Sequence, residues 1–139
     1  MINSLMQDLQ ALVECESPSS DLLACAKVLD VANEITARVI GSSAEILEVH
    51  ARPVYWLGSK TPQVLLLTHL DTVWPIGSFT PLWSVNGDVV TGPGIFDMKA
   101  GFIQGLYAMR GQDLSKVALI ATTDEETGSA TSRQLIEDV

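Results

Sequence analysis

Apolar residues at Ile2, Leu5, Met6, Leu9, Leu12 and Val13 recur at the three-and-four spacing of one helical face, so the chain is expected to open with a helix. Ser17-Pro18-Ser19-Ser20 breaks that pattern, and Ser19 or Ser20 is placed to cap the next helix. Leu22, Leu23, Ala26, Leu29, Val31 and Ile35 carry the second helix from about 21 to 38, and Gly41-Ser42-Ser43 ends it. Residues 45 to 49 and 54 to 57 read as two short strands. Val64-Leu65-Leu66-Leu67-Thr68, entered through Thr61-Pro62, is a continuous apolar run that predicts a central strand covered on both faces. Asn86-Gly87-Asp88 between Trp83-Ser84-Val85 and Val89-Val90-Thr91 signals a hairpin. A helix is expected over 98 to 110, with Gly101 and Gly105 permitting close packing. A second buried strand follows over 117 to 121, and a last helix over 130 to 139. Alternating helices and apolar strands predict an α/β fold.

Composition narrows the functional classes. The chain has 139 residues, 47% hydrophobic and 18% charged, the profile of a folded segment. Eight Lys and Arg against 17 Asp and Glu give a formal charge of −9, which repels phosphate backbones and anionic headgroups. Nucleic acid and membrane are therefore not expected as partners. Cys15 and Cys25 form no CxxC pattern and no disulfide framework, and the N-terminus has no basic n-region, so a cytoplasmic setting is expected. The helical pattern still runs at Val139 without a glycine stop, so a truncated chain is expected.

Three polar clusters lie at or beside strand ends, where open α/β sheets bind ligands. The first is Thr68-His69-Leu70-Asp71-Thr72. Residues two apart on an extended segment face one side, so His69 suits a metal and Asp71 suits fixing the imidazole tautomer. The second is the glycine-containing loop from Thr91 to Gly101, which delivers Asp97 to a helix entrance but lacks the lysine of a phosphate-binding loop. The third is Asp124-Glu125-Glu126, whose mutual repulsion a cation would relieve. Each has a plainer reading alone: a strand-end histidine, a helix cap, an acidic turn. Together they supply a hard nitrogen and oxygen donor set that suits zinc, with manganese or cobalt as substitutes.

In order, His69-Leu70-Asp71-Thr72-Val73, Gly92-Pro93-Gly94-Ile95-Phe96-Asp97-Met98-Lys99 and Asp124-Glu125-Glu126-Thr127-Gly128-Ser129 resemble the successive signatures of the co-catalytic zinc metallopeptidases. That family includes glutamate carboxypeptidase, acetylornithine deacetylase and succinyl-diaminopimelate desuccinylase. Ser17-Pro18-Ser19 resembles its early Ser-Pro-Ser segment, and HLDTVWPIGS is similar to the glutamate carboxypeptidase branch. The resemblance implies a three-layer α/β/α catalytic domain with a mixed, largely parallel sheet. It implies a hydrolase of small peptides or N-acyl amino acids, carboxypeptidase or deacylase, using two Zn2+ (Co2+ or Mn2+ possible) to activate water. By the same resemblance His69 would bind one ion and Glu126 the other, with Asp97 bridging both; Glu125 would be the general base and Asp71 would support His69. The Asp97–Met98 peptide bond is expected to be cis.

The same resemblance implies that residues 1–139 are an N-terminal segment of the catalytic domain. The lid domain, through which the full-length protein would form a homodimer, and the C-terminal ligands lie elsewhere. His50 precedes the first motif and reads as a surface or loop residue. With two protein ligands per ion, the 139-residue chain is expected to bind zinc weakly and to be inactive alone. The alternative is a non-catalytic remnant or binding segment of the same fold. Trp74, Trp83 and Phe79 either line a substrate cleft or, the preferred reading, pack between loop and hairpin; Cys15 and Cys25 are expected to pack helices, and Lys99 to pair with an acidic neighbour or face solvent.

Overall fold

The structure, a computed structural model, describes residues 2–139. Helix α1 (Ile2–Glu14) and helix α2 (Leu22–Ile40) come first, then strands β1 (Glu45–Val49), β2 (Arg52–Gly58) and β3 (Val64–His69). A separate hairpin of β4 (Ser84–Asn86) and β5 (Val89–Thr91) leads through a wide turn to α3 (Ala100–Ala108), followed by β6 (Val117–Thr122) and α4 (Arg133–Glu137). The sheet order is β1-β2-β6-β3. The sheet is mixed, as the sequence implies, but with a smaller parallel share: β1–β2 and β2–β6 are antiparallel, and β3–β6 is parallel. Two consecutive residues with positive φ, His50 (51°) and Ala51 (62°), return the chain from β1 into β2. That tight turn enforces antiparallel pairing.

Helices α1, α2 and α3 bury one face of the sheet. Their core joins Leu12, Val13, Val28, Leu29, Phe102, Ile103 and Leu106 to Tyr55, Leu57, Leu119 and Ala121 of the strands. Gly105 brings α3 close enough that an added Cβ would sit 3.3 Å from Leu119 and 3.4 Å from Leu66. The other face carries a smaller cluster of Val54, Trp56 and Ile120, against which Leu135 of α4 packs.

The Leu-rich run differs from its expected place. β3 pairs only with β6 among the described residues, at an edge, and Val64 and Leu67 are exposed, Leu67 at 46%. β6, with residues 118–121 fully buried, holds the inner position. An apolar run reports how much burial a strand demands, whereas its rank in the sheet depends on which strands pair beside it. Smaller differences concern helix ends. Asp21, not Ser19 or Ser20, caps α2, accepting from the Ala24 N–H at 3.0 Å. Ser19 is engaged elsewhere, its hydroxyl donating to Asp71 Oδ2 at 2.6 Å. The third helix starts at Ala100 because Asp97 (φ −125°, ψ 98°) and Met98 (φ −134°, ψ 35°) leave the helical region. The last helix is confined to Arg133–Glu137 because the residues before it serve as donors to Asp124.

Candidate metal centre

His69 ends β3, in register with Thr122 of β6, and the Leu70 N–H bonds to the Thr122 carbonyl at 3.0 Å. Beyond that point the chain leaves the sheet and is held by Ser17-Pro18-Ser19. The Thr72 N–H reaches the Ser17 carbonyl at 2.9 Å, the Ser19 N–H reaches the Thr72 carbonyl at 3.2 Å, and the Ser17 hydroxyl donates to the Leu70 carbonyl at 2.6 Å. These bonds place the fully buried Asp71 carboxylate. Its Oδ2 accepts from the Ser19 hydroxyl at 2.6 Å and the Glu126 N–H at 3.2 Å, and its Oδ1 accepts from the Glu125 N–H at 3.3 Å. Oδ1 also lies 3.3 Å from His69 Nδ1. Asp71 thus orients the imidazole and the acidic loop together.

The opposite ring nitrogen, Nε2, faces outward, 2.9 Å from Asp97 Oδ1 and 3.7 Å from Glu125 Oε2. One donor atom each from His69, Asp97 and Glu126 lie within 4.8 Å of one another. The wide turn at 95–99 aims Asp97 into this cluster. Gly94 enters it at φ +69°, with a Cβ position 2.6 Å from Thr72, so only glycine fits comfortably. The Asp97–Met98 peptide bond is cis, as the resemblance implies. After β6, Asp124 turns the other way. Its buried carboxylate accepts from the Thr131 N–H (2.8 Å), the Ser132 N–H (3.1 Å), the Ser132 hydroxyl (2.6 Å) and the Thr131 hydroxyl. The acidic triplet therefore splits, with Asp124 anchoring the loop and Glu125 and Glu126 facing the cluster.

The electrostatics fit a cation. Burial would lower the His69 pKa, but hydrogen bonds to Asp71 and Asp97, with the charges of Asp71 and Glu125, push it up to about 9. Burial works to raise Asp71, yet its bonds to His69, Ser19 and Glu126 hold it below the usual carboxylate range. Glu126 is raised by burial and by the neighbouring Asp97, Asp71 and Glu125, against the pull of His69. Carboxylates that repel one another, converging beside an imidazole, make a donor set that a divalent cation relieves.

The remaining candidates sort by geometry. His50 is an exposed turn residue. Cys15 and Cys25 are free thiols at the helix packing, with Cys25 fully buried and pushed up to about 11 by burial and Asp71. Trp83 packs against the main core, while Trp74 and Phe79 meet edge to face at 4.9 Å. With Phe96, which is 97% exposed, that pair also lines a hollow of about 280 Å³ reaching Asp97 and Glu126. Lys99 contradicts both readings from sequence. It is fully buried and donates to backbone carbonyls of Leu12 and Cys15, so it neither pairs with an acid nor faces solvent. The role of Ser19 as the partner of Asp71 has no signal in the sequence pattern. Nor has that of Arg52, whose guanidinium donates to the Ser19 and Thr123 carbonyls and ties the two loops together.

Comparison with known proteins agrees with this geometry. The sequence profile of Peptidase family M20/M25/M40 matches residues 65–139. Carboxypeptidase G2 of Pseudomonas sp. (strain RS-16) is 35% identical over 88 residues, covering 58% of this chain and 21% of that protein. The M20 family metallo-carboxypeptidase Sso-CP2 of Sulfolobus solfataricus superposes with a TM-score of 0.76 at 20% identity, covering 96% of this chain and 33% of that one. Human carnosine dipeptidase 1 gives 0.73 at 23% identity, covering 97% and 35%. The di-peptidase Dug1p of Saccharomyces cerevisiae gives 0.66 at 18% identity, covering 96% and 34%. At these identities the structural likeness establishes the fold. The chain spans about a fifth of the length of the curated relative it matches and about a third of each solved structure.

Proposed function

This chain belongs to peptidase family M20/M25/M40, and on that premise we propose that it supplies part of the active site of a metal-dependent hydrolase of amide bonds. The substrates are small peptides or N-acyl amino acids, with a carboxypeptidase-like mode favoured by the likeness to carboxypeptidase G2. The observation that carries the reading is the convergence of His69, Asp97 and Glu126 within 4.8 Å, backed by a buried Asp71 on the far side of the imidazole.

His69 and Glu126 would hold separate ions, with Asp97 between them. Zinc fits the mixed nitrogen and oxygen donors, with cobalt or manganese as substitutes. When bound, the ions supply Lewis acidity that lowers the pKa of water and polarises the scissile carbonyl. The protein supplies the proton path. Glu125 is half-exposed at the rim, 3.7 Å from His69 Nε2 and outside the converging triplet, so its carboxylate is free to act as a base. It takes a proton from water as the oxygen adds to the carbonyl carbon. It returns that proton to the amine nitrogen as the C–N bond breaks. Once the ring gives up its second proton to metal, Asp71 would keep His69 in the tautomer whose Nε2 lone pair faces the site.

Three donors are fewer than two catalytic ions require, so we take the 139-residue chain to be inactive alone, with further ligands and the lid supplied by the full-length protein. A reducing, cytoplasmic location is consistent with the two free thiols. Among the described residues no helix is long and apolar enough to cross a membrane.

The test is Glu125→Gln in the full-length protein, assayed on dipeptides and N-acyl amino acids, with metal content measured alongside. The expected result is a rate lower by roughly 10²–10⁴-fold at unchanged metal content. Retention of wild-type turnover would remove Glu125 from the mechanism.

A further inference from the structure

Lys99 is a buried cation that the proposed chemistry does not use. It stands at the start of an i, i+3, i+4, i+7 series with Phe102, Ile103 and Leu106, all fully buried, so it occupies the core-facing stripe of α3. Among the described residues its ammonium forms no ion pair. Instead Nζ donates to the Leu12 carbonyl at 2.8 Å and the Cys15 carbonyl at 2.9 Å, at the C-terminal end of α1. A helix leaves its last carbonyls without intrahelical partners, and its C-terminus carries partial negative charge, so this is where a buried ammonium is best accommodated.

The contact matters because of what lies two residues upstream. Asp97 and Met98 are non-helical, and the chain regains helical geometry at Lys99 (φ −57°, ψ −34°). The Lys99 N–H closes the turn on the Gly94 carbonyl at 2.8 Å. Asp97 is therefore held in a loop whose far end is fixed twice, by that backbone bond and by the Lys99 side chain. The surface it is fixed to is itself immobilised. Asp8 of α1 accepts from both Arg38 nitrogens (3.2 and 2.7 Å) on α2 and from the Tyr107 hydroxyl (2.7 Å) on α3. The Asp97 side chain, by contrast, is 68% exposed and its carboxylate hydrogen-bonds only to His69 among the described residues, so its position depends on the backbone beneath it.

We propose that Lys99 is a positioning residue for the metal centre: its buried ammonium clamps the Asp97 turn to the carboxyl end of α1 and holds this ligand in place before any ion arrives. The inference rests on the reading of Asp97 as a ligand. Lysine suits the role because it reaches from α3 to α1 with a point charge carrying several donors, whereas an apolar side chain would leave two carbonyls without a partner.

The experiment compares wild type, Lys99→Met, Lys99→Arg and His69→Ala in the full-length protein. Each is stripped of metal and titrated with Co2+, read by visible absorption, with unfolding of the metal-free form followed in parallel. Lys99→Met is expected to bind Co2+ about 10- to 100-fold more weakly, the range for loss of a group that orients a ligand. Lys99→Arg is expected to recover part of that loss. A folded Lys99→Met protein with wild-type Co2+ affinity, whatever its stability, overturns the proposal. If Lys99→Met does not fold, hydrogen exchange of wild type decides. Protection of the 94–100 amides in the metal-free protein supports the clamp, and protection gained only with Co2+ overturns it. If His69→Ala binds Co2+ as wild type does, the metal centre itself is misassigned and the proposal falls with it. If His69→Ala abolishes binding and Lys99→Met leaves it intact, only the role of Lys99 fails.

Discussion

The His69 environment predicts that metal binding at this centre must expel a proton. An imidazole ligates only through a neutral nitrogen. In the metal-free protein Asp71 stands 3.3 Å from Nδ1 and Asp97 2.9 Å from Nε2, and these carboxylates outweigh burial and raise the pKa to about 9. At pH 7 the ring is thus mostly imidazolium. The competition weakens apparent affinity by about 100-fold, on the order of 3 kcal/mol at 1.36 kcal/mol per pH unit. Calorimetric titration of the metal-free, full-length protein with Zn2+ at pH 7, repeated in buffers of different ionisation heat, measures the protons released. The expected result is close to one proton per ion bound at His69, with affinity rising about tenfold per pH unit and flattening near pH 9. No proton release at pH 7, with affinity flat between pH 7 and 8.5, would show that the free imidazole is already neutral there. The same group makes a linked prediction for stability without metal. A raised histidine pKa stabilises the fold fully below the unfolded value of about 6.5, and that contribution is lost as pH rises through about 9. Urea unfolding should show the metal-free protein losing on the order of 3 kcal/mol across that window, a loss absent in His69→Gln.

Ser19→Ala removes the 2.6 Å hydrogen bond to buried Asp71 and should cost about 1.5–3 kcal/mol in urea unfolding at pH 7. Because the Asp71 pKa is depressed, the difference from wild type should be full above the unfolded carboxylate value of about 3.9 and shrink as pH falls through the lower folded one. Asp124→Ala leaves four donors on Thr131 and Ser132 without their acceptor, so a loss of about 3 kcal/mol or more is expected from the same measurement. An Asp124→Ala protein as stable as wild type would contradict the anchoring role. Trp74→Ala opens the hollow shared by Phe79, Phe96, Asp97 and Glu126, and should raise KM for substrates with an apolar side chain more than for alanine analogues. Equal effects on both would show that this hollow does not receive substrate.

Much of this arrangement is legible in the chain itself. The order of helices and strands follows from the periodicity of apolar positions, and His69, Asp97 and Glu126 are picked out by the order and spacing of the three motifs that carry the family resemblance. Val64 to Thr68 carry the composition of a covered strand, and among the described residues β3 pairs on one side only, in a chain that spans about a third of the solved structures it resembles. Asp124 is hidden for its own reason. Three adjacent acids look equivalent until the donors of Thr131 and Ser132 claim the first. Lys99 misleads because charge usually signals solvent; its spacing with Phe102, Ile103 and Leu106 was the available clue. Ser19 and Arg52 act across long sequence separations, through partners that only the folded chain brings near.

The most direct measurement is an anomalous difference map from crystals of the full-length protein grown with zinc. Peaks are expected within coordinating distance of His69 Nε2 and of carboxylate oxygens of Asp97 and Glu126, with Asp124 remaining on Thr131 and Ser132. Zinc bound only at other residues, or these three side chains diverging around an empty pocket, would contradict it.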